Sequence, residues 1–151
     1  MPRIEIKTVL NSDIETCFNL ARNIDFHQES FEKFNERAIG GKTSGLIELN
    51  EWVTWEAKHI GFVQHLTAKI TEFEAPNYFV DEMVFGALKS FRHEHKFRES
   101  ENNTTVMTEL FYFESPFGVF GKLANVLFLK RYIKSLLKTR NEFLKEKAET
   151  C

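Results

Sequence analysis

The feature that most constrains this chain of 151 residues is a long amphipathic segment near its end, from Phe117 to Lys147. The segment contains no proline and, after Gly121, no glycine. Its apolar residues recur at spacings of three and four, which is typical of a helix with a broad buried face. At about 1.5 Å per residue, such a helix is on the order of 45 Å long. It can therefore lie across a whole sheet.

The chain before this segment predicts one strand, two short helices and then a run of strands. Arg3 to Leu10 alternates apolar and polar residues, as a half-buried strand does. Ser12 and Glu15 have the spacing of a capping box, which predicts a helix from Asp13 to about Arg22; a second is expected from Asp25 to Lys33. The later strands are predicted at Asn35–Ile39, Glu48–Ile60, Phe62–Phe73, Tyr78–Phe85, Ser90–Glu99 and Thr104–Glu114.

The breaks between these strands are short, which predicts successive hairpins and an antiparallel meander. The helices are segregated from the strands, so the fold class is α+β. Because each strand has one apolar face to bury, we expect a six- to seven-stranded, strongly curved antiparallel sheet wrapped around the long C-terminal helix, with the two short helices after the first strand. The length fits a single domain over residues 1–151.

Phenylalanine is the abnormal part of the composition, with 16 residues. Each buried ring removes a large apolar area from water, so the excess suits either a dense core or the lining of a hydrophobic cavity. Composition alone favours the dense core. The two cysteines, Cys17 and Cys151, are too few for a disulfide framework or a cysteine-based zinc site.

Charge is distributed unevenly, because Lys122 to Lys147 holds eight Lys and Arg residues against two Glu in a chain of net charge −2. These cations are expected to solvate the outer face of the last helix, and the alternative is contact with an anionic membrane or an acidic partner. Nucleic acid is not an expected partner, since no exposed aromatic residues interleave with the basic ones. No apolar leader begins the chain, which predicts a cytoplasmic location.

Strand alternation predicts which residues face the hollow of the sheet. Every second residue from Arg92 to Arg98 is charged and must face water, so Phe91, His93 and His95 point inward. The same argument turns Trp55, His59 and Leu66 inward. For Tyr78–Phe85 and Thr104–Glu114 alternation does not decide the face, because Asp81 and Met83 compete with Val80 and Glu82, and Glu109 and Phe111 compete with Leu110 and Tyr112.

Inward histidines need partners, because a buried polar group without a hydrogen bond is costly. One hypothesis is a structural network in which His93 and His95 bond Glu109, Tyr112 or Asp81. A second is that they line a pocket and orient an otherwise apolar ligand. A third is a metal site, in which His59 and a carboxylate complete the coordination that His-x-His begins.

Several short motifs together resemble the ligand-binding SRPBCC branch of the START-like superfamily. The resemblance covers nearly the whole chain and implies a helix-grip fold with a deep hydrophobic cavity between sheet and helix; it favours the pocket hypothesis for the histidines. The motifs are Val53-Thr54-Trp55, His59-Ile60-Gly61, Ile70 to Phe73, Pro76 with Phe79-Val80-Asp81, Gly86, Phe91-Arg92-His93-Glu94-His95, Pro116-Phe117-Gly118 and Arg131-Tyr132.

The predicted function is therefore binding of an apolar or amphipathic small molecule, lipid-like or polyketide-like, by a carrier or sensor without cofactor or metal. The alternative is a cyclase, dehydratase or hydrolase that uses His93 or His95 as acid and base. The sequence contains no motif of a catalytic nucleophile and no phosphate-binding loop. The predicted ligand contacts are Trp55, His59, Leu66, Met83, Phe91, His93, His95, Tyr112, Phe120, Leu123 and Leu127.

Overall fold

The computed structural model describes residues 2–115 and 122–150, with only the backbone for 122–125. Within these residues the chain forms seven strands and three α-helices, and two short 3-10 turns at Glu32–Phe34 and Glu101–Asn103. In chain order the elements are β1 Arg3–Leu10, α1 Ile14–Ala21, α2 Ile24–Ser30, β2 Arg37–Gly41, β3 Trp52–His59, β4 Phe62–Glu74, β5 Tyr78–Phe85, β6 Ser90–Ser100, β7 Thr104–Glu114 and α3 Lys122–Thr150.

The seven strands form one antiparallel sheet in the order β1-β7-β6-β5-β4-β3-β2. From β2 onward each strand pairs with the next along the chain, and β1 pairs with β7 at the other edge. The helices α1 and α2 carry the chain from one edge of the sheet to the other. The predicted α+β class, the antiparallel meander and the long final helix are confirmed.

The starts of α1 and β3 differ from the predictions for reasons that the structure shows. The N-cap of α1 is Asp13, whose carboxylate accepts hydrogen bonds from the Thr16 backbone N–H at 3.0 Å and the Thr16 hydroxyl at 2.6 Å. The predicted capping box of Ser12 and Glu15 is wrong, because the aspartate one residue later satisfies the helix start. The strand β3 starts later than predicted, since the Glu51 carboxylate accepts from the Glu48 N–H and closes a turn there.

Two apolar clusters fill different parts of the space between the sheet and the helices. The first, here called the packed core, surrounds Phe18 of α1, whose ring meets those of Phe73, Phe79 and Phe97 edge-on at 5.4 to 5.5 Å. The second, here called the cavity wall, consists of Ile4, Ile6, Ala68, Phe91, Phe111, Phe113 and Leu137.

The helix α3 serves both clusters. Leu144 and Ala148 near its end are buried in the packed core, whereas Leu137 belongs to the cavity wall. Farther toward its start, Leu127 and Phe128 are exposed. Over the described residues, no helix has both the length and the apolar character needed to cross a bilayer.

Candidate ligand cavity and buried charged cluster

A cavity of about 480 Å³ lies between the sheet and α3. The phenylalanine side chains of the described residues therefore leave the space beneath the helix open. Exposed residues, among them Ile60 and Phe128, mark its mouth. Most of its lining is apolar. The cavity wall contributes Ala68, Phe91, Phe111 and Leu137, and the other apolar residues that line it are Trp55, Ala57, Leu66, Met83, Leu129, Ile133 and Leu136.

Most of the predicted contact residues meet at this cavity. Those that line it are Trp55, His59, Leu66, Met83, Phe91 and His93. His95 faces inward as predicted but lines a smaller neighbouring cavity of about 90 Å³, together with Ile70 and Phe79. Phe120 and the side chain of Leu123 lie outside the described residues.

The predicted placement of Tyr112 is wrong. Its neighbours Phe111 and Phe113 are buried, and across the sheet it pairs with Arg92 and Arg3, which lie on the outer face. Alternation along β7 thus turns Glu109 and Phe111 inward. The choice of face depends on partners in other elements, which the strand pattern does not contain.

The predicted placement of Leu127 is also wrong, because this residue is 58% exposed. The inner stripe of α3 instead includes Leu129, Ile133 and Leu137, spaced four residues apart. At about 100° per residue, Leu127 lies about 120° around the helix from Ile133. The apolar surface of α3 is broader than the part that the sheet and cavity cover.

The two inward histidines belong to a buried charged cluster. His93 Nε2 and Glu109 Oε1 form a hydrogen bond of 3.0 Å, and His95 Nε2 and Asp81 Oδ1 form one of 2.8 Å. Because Asp81 stands directly opposite His93 and Glu109 opposite His95, both bonds run diagonally and the imidazoles overlap, with ring centroids 3.8 Å apart. Glu109 and Asp81 are partners that the structural-network hypothesis named.

The helix α3 contributes two further members to this cluster. Arg140, which is 4% exposed, forms an ion pair with Glu109 Oε1, and the Asn141 amide donates to Glu109 Oε2 at 2.5 Å. Arg140 was expected to solvate the outer face of the helix, and that expectation is wrong for this residue. Its position, three residues after Leu137 and four before Leu144, is the sequence signal that places it on the inner stripe.

Burial and the contacts within the charged cluster shift the pKa values of its members. Burial by itself raises the pKa of Glu109, but the Arg140 charge and the His93 hydrogen bond outweigh it and hold the pKa below its ordinary value. The pKa of Asp81 is likewise lowered, because the His95 hydrogen bond and the histidine charges outweigh burial. Burial, with His93 nearby, lowers the pKa of His95 to about 4. At neutral pH both carboxyls are ionised and His95 is neutral.

A second set of polar groups lines the cavity away from this cluster. His59 Nδ1 and the Tyr132 hydroxyl are 2.9 Å apart and join the end of β3 to α3. Burial lowers the pKa of His59. His27, to which the sequence assigned no role, bonds the buried Glu36 carboxylate at 3.2 Å, and its ring lies 4.5 Å from that of Trp55.

Comparison with solved structures identifies the fold. No protein-family model matches the chain, and no curated protein is significantly similar. Among solved structures, a START superfamily protein from Mycobacterium smegmatis is 7% identical with a TM-score of 0.72, and the alignment covers 98% of this chain and 97% of that one. A protein of unknown function from Staphylococcus aureus is 11% identical with a TM-score of 0.73, covering 99% and 95%.

A plant protein has the same architecture. The ginseng major latex-like protein 151 from Panax ginseng is 11% identical with a TM-score of 0.66, and the alignment covers 97% of each chain. These likenesses confirm the helix-grip fold that the sequence motifs indicated.

Proposed function

We propose that this helix-grip protein binds an apolar or amphipathic small molecule, lipid-like or polyketide-like, and acts as its carrier or sensor. The observation that supports this function is the cavity of about 480 Å³ between the sheet and α3. Its volume falls within the range of about 300–1,000 Å³ that is typical of small-molecule sites. A domain without a ligand would gain stability by filling this space, since close packing is the default of protein interiors.

The lining predicts the chemistry of the ligand. The wall is mostly apolar, but Asp81, His93 and Arg140 reach the cavity at one place and His59 and Tyr132 at another. A few convergent polar groups in an apolar pocket orient a ligand by hydrogen bonds while burial supplies affinity. The expected ligand therefore has an extended apolar body and at least one polar group.

Binding can be tested without knowing the ligand. Native mass spectrometry of protein purified from cells, followed by organic extraction, should detect a bound apolar molecule. Purified protein should also bind a fluorescent fatty acid and release it to a competitor. Protein that is consistently empty, and that binds neither fatty acids, sterols nor aromatic polyketides, would contradict the proposal.

A second candidate function is catalysis of the cyclase, dehydratase or hydrolase type. The observation that favours it is that His93 and Asp81 both line the cavity, with His93 Nδ1 3.8 Å from Asp81 Oδ1, so that an acid and base group faces a bound molecule. His93→Gln separates the two functions. Unchanged affinity with loss of turnover supports an enzyme, whereas weaker affinity and no turnover in either form supports a carrier.

Weak contact with an anionic membrane is a further part of the proposal. Near the cavity mouth the exposed side chains of α3 include Leu127 and Phe128 beside Lys130 and Arg131. Apolar and basic residues side by side suit the surface of a bilayer that contains acidic lipids. Flotation with vesicles of phosphatidylserine and phosphatidylcholine should recover the protein, and no recovery at low salt would contradict this part.

A further inference from the structure

We propose that Asp81, His93 and His95 bind a divalent transition-metal ion of the zinc type at the inner end of the cavity. One ligand atom from each of the three side chains lies within 4.8 Å of the other two. The histidines are alternate residues of β6 and share its inner face, and Asp81 stands opposite His93 on β5. The sequence suggested His59 as a further ligand, but that imidazole bonds Tyr132 instead.

The distances between the candidate ligand atoms bracket the spacing that a metal ion requires. Ligand atoms at about 2.1 Å from a tetrahedral zinc ion are about 3.4 Å apart. Asp81 Oδ1 is 2.8 Å from His95 Nε2 and 3.8 Å from His93 Nδ1, so the observed spacings lie on either side of that value. Small side-chain rotations would equalise them.

The outer partners of a metal site are already in place. A metal-bound imidazole usually donates its other N–H to a carboxylate, which fixes the ring and its tautomer. Coordination through His93 Nδ1 leaves Nε2–H to donate to Glu109 Oε1 at 3.0 Å. Arg140 and Asn141 hold Glu109 in that position.

A metal ion also explains an unsatisfied atom. His95 is 2% exposed, and its Nδ1 has no hydrogen-bond partner among the described residues. If Nε2–H donates to Asp81 in the neutral ring, the Nδ1 lone pair faces Glu109 Oε1 at 3.6 Å, which is repulsive. Coordination through Nε2 places the proton on Nδ1, so that an N–H instead of a lone pair is directed at this carboxylate and the contact becomes attractive.

The charges of the cluster favour a cation. Asp81 places a carboxyl group beside the two imidazoles, and Glu109, the partner of Arg140, places a second one behind them. The site is mostly buried, where the attraction between a cation and a carboxylate is strongest. Two imidazoles and one carboxylate are ligands that zinc and related ions accept. Asp81 and His93 also line the main cavity, so a vacant coordination position would face a bound small molecule.

Titration with Co²⁺ tests the site directly. Untagged protein is stripped with a chelator, checked for folding by circular dichroism and titrated with Co²⁺ in the absence of any small-molecule ligand. One equivalent should produce the visible absorption of four- or five-coordinate Co²⁺, and Zn²⁺ should displace it. Failure of the folded protein to bind one equivalent of Co²⁺ or Zn²⁺ would overturn the proposal, and would leave the ligand-binding function intact.

Variants locate the ion. His93→Gln and Asp81→Asn should each weaken Co²⁺ binding by about tenfold or more, whereas the control His65→Gln, which removes an exposed imidazole on β4, should leave it unchanged. Equal binding by all three would overturn the site. If the cluster variants do not fold, X-ray absorption of the wild-type complex decides, and a first shell without two imidazoles would overturn it.

Discussion

Phenylalanine has different roles in the packed core and in the cavity wall: in the first it fills space, and in the second it lines a cavity. Around Phe18, a ring of α1 packs edge-on against three others, and the cavity beside them, lined by Phe79, measures only about 90 Å³. Phe91 and Phe111 stack on each other with centroids 5.1 Å apart, yet they line a cavity of about 480 Å³. The difference lies in the covering helix: α1 packs a ring directly onto the sheet, whereas α3 and the sheet enclose a cavity. The phenylalanine excess therefore serves both a dense core and a cavity.

Truncation of one ring in each region gives the sharpest test of this comparison. Phe18→Ala should reduce the free energy of unfolding by about 3–5 kcal/mol, because it empties a site enclosed by other rings. Phe91→Ala should cost less than half as much, since this ring already faces empty space. Urea unfolding of both variants measures the two losses. Equal losses would contradict the distinction between a packed and a hollow region.

The boundary between the regions is the charged cluster, and it depends on Arg140. Arg140→Met should reduce the free energy of unfolding by about 3 kcal/mol, because the Glu109 carboxylate loses its charged partner while it stays buried. Adding Glu109→Gln should recover part of the loss by removing that charge. A double variant less stable than Arg140→Met would show that Glu109 is stabilised mainly by other groups.

Filling the cavity should affect binding more than stability. Leu66→Trp places a larger side chain in the lining of the cavity. The free energy of unfolding should change by about 1 kcal/mol or less, which is below the usual cost of overpacking a dense core. Affinity for a fluorescent fatty acid should fall about tenfold or more. Val9→Trp, at an exposed position of β1, is the matched control. Loss of binding in both variants would show a general effect of tryptophan.

The smallest expected effect is on the pKa of His59, which reports how far the cavity is shielded from water. Burial lowers the pKa of His59, so it should titrate below the ordinary value of about 6.5. Its neutral form stabilises the fold above the unfolded pKa, and this contribution is lost as pH falls through the folded pKa. Two-dimensional NMR of the ring measures it. Tyr132→Phe should leave the pKa lowered, because burial causes the shift; a return to the ordinary value would assign the shift to the hydrogen bond.

The local periods of the sequence predicted much of the fold. The bounds of β5 and β7 agree with the predicted strands, and the inward faces of His93 and His95 followed from the charged residues between them. Both depend on the two-residue period of a strand, which neighbouring residues suffice to reveal. The motifs likewise indicated the helix-grip fold.

Only the tertiary structure decided which groups those histidines meet. Glu109 faces inward, and Tyr112 outward, because β7 lies between β1 and β6 under Arg140, which is 31 residues farther along the chain. The sequence pattern also did not predict how α3 is rotated about its axis relative to the sheet. This rotation leaves Leu127 exposed and buries Arg140. The period of the apolar residues reveals that one face of an element is buried. Which residues cover that face, and whether they leave a cavity, depends on packing between distant segments.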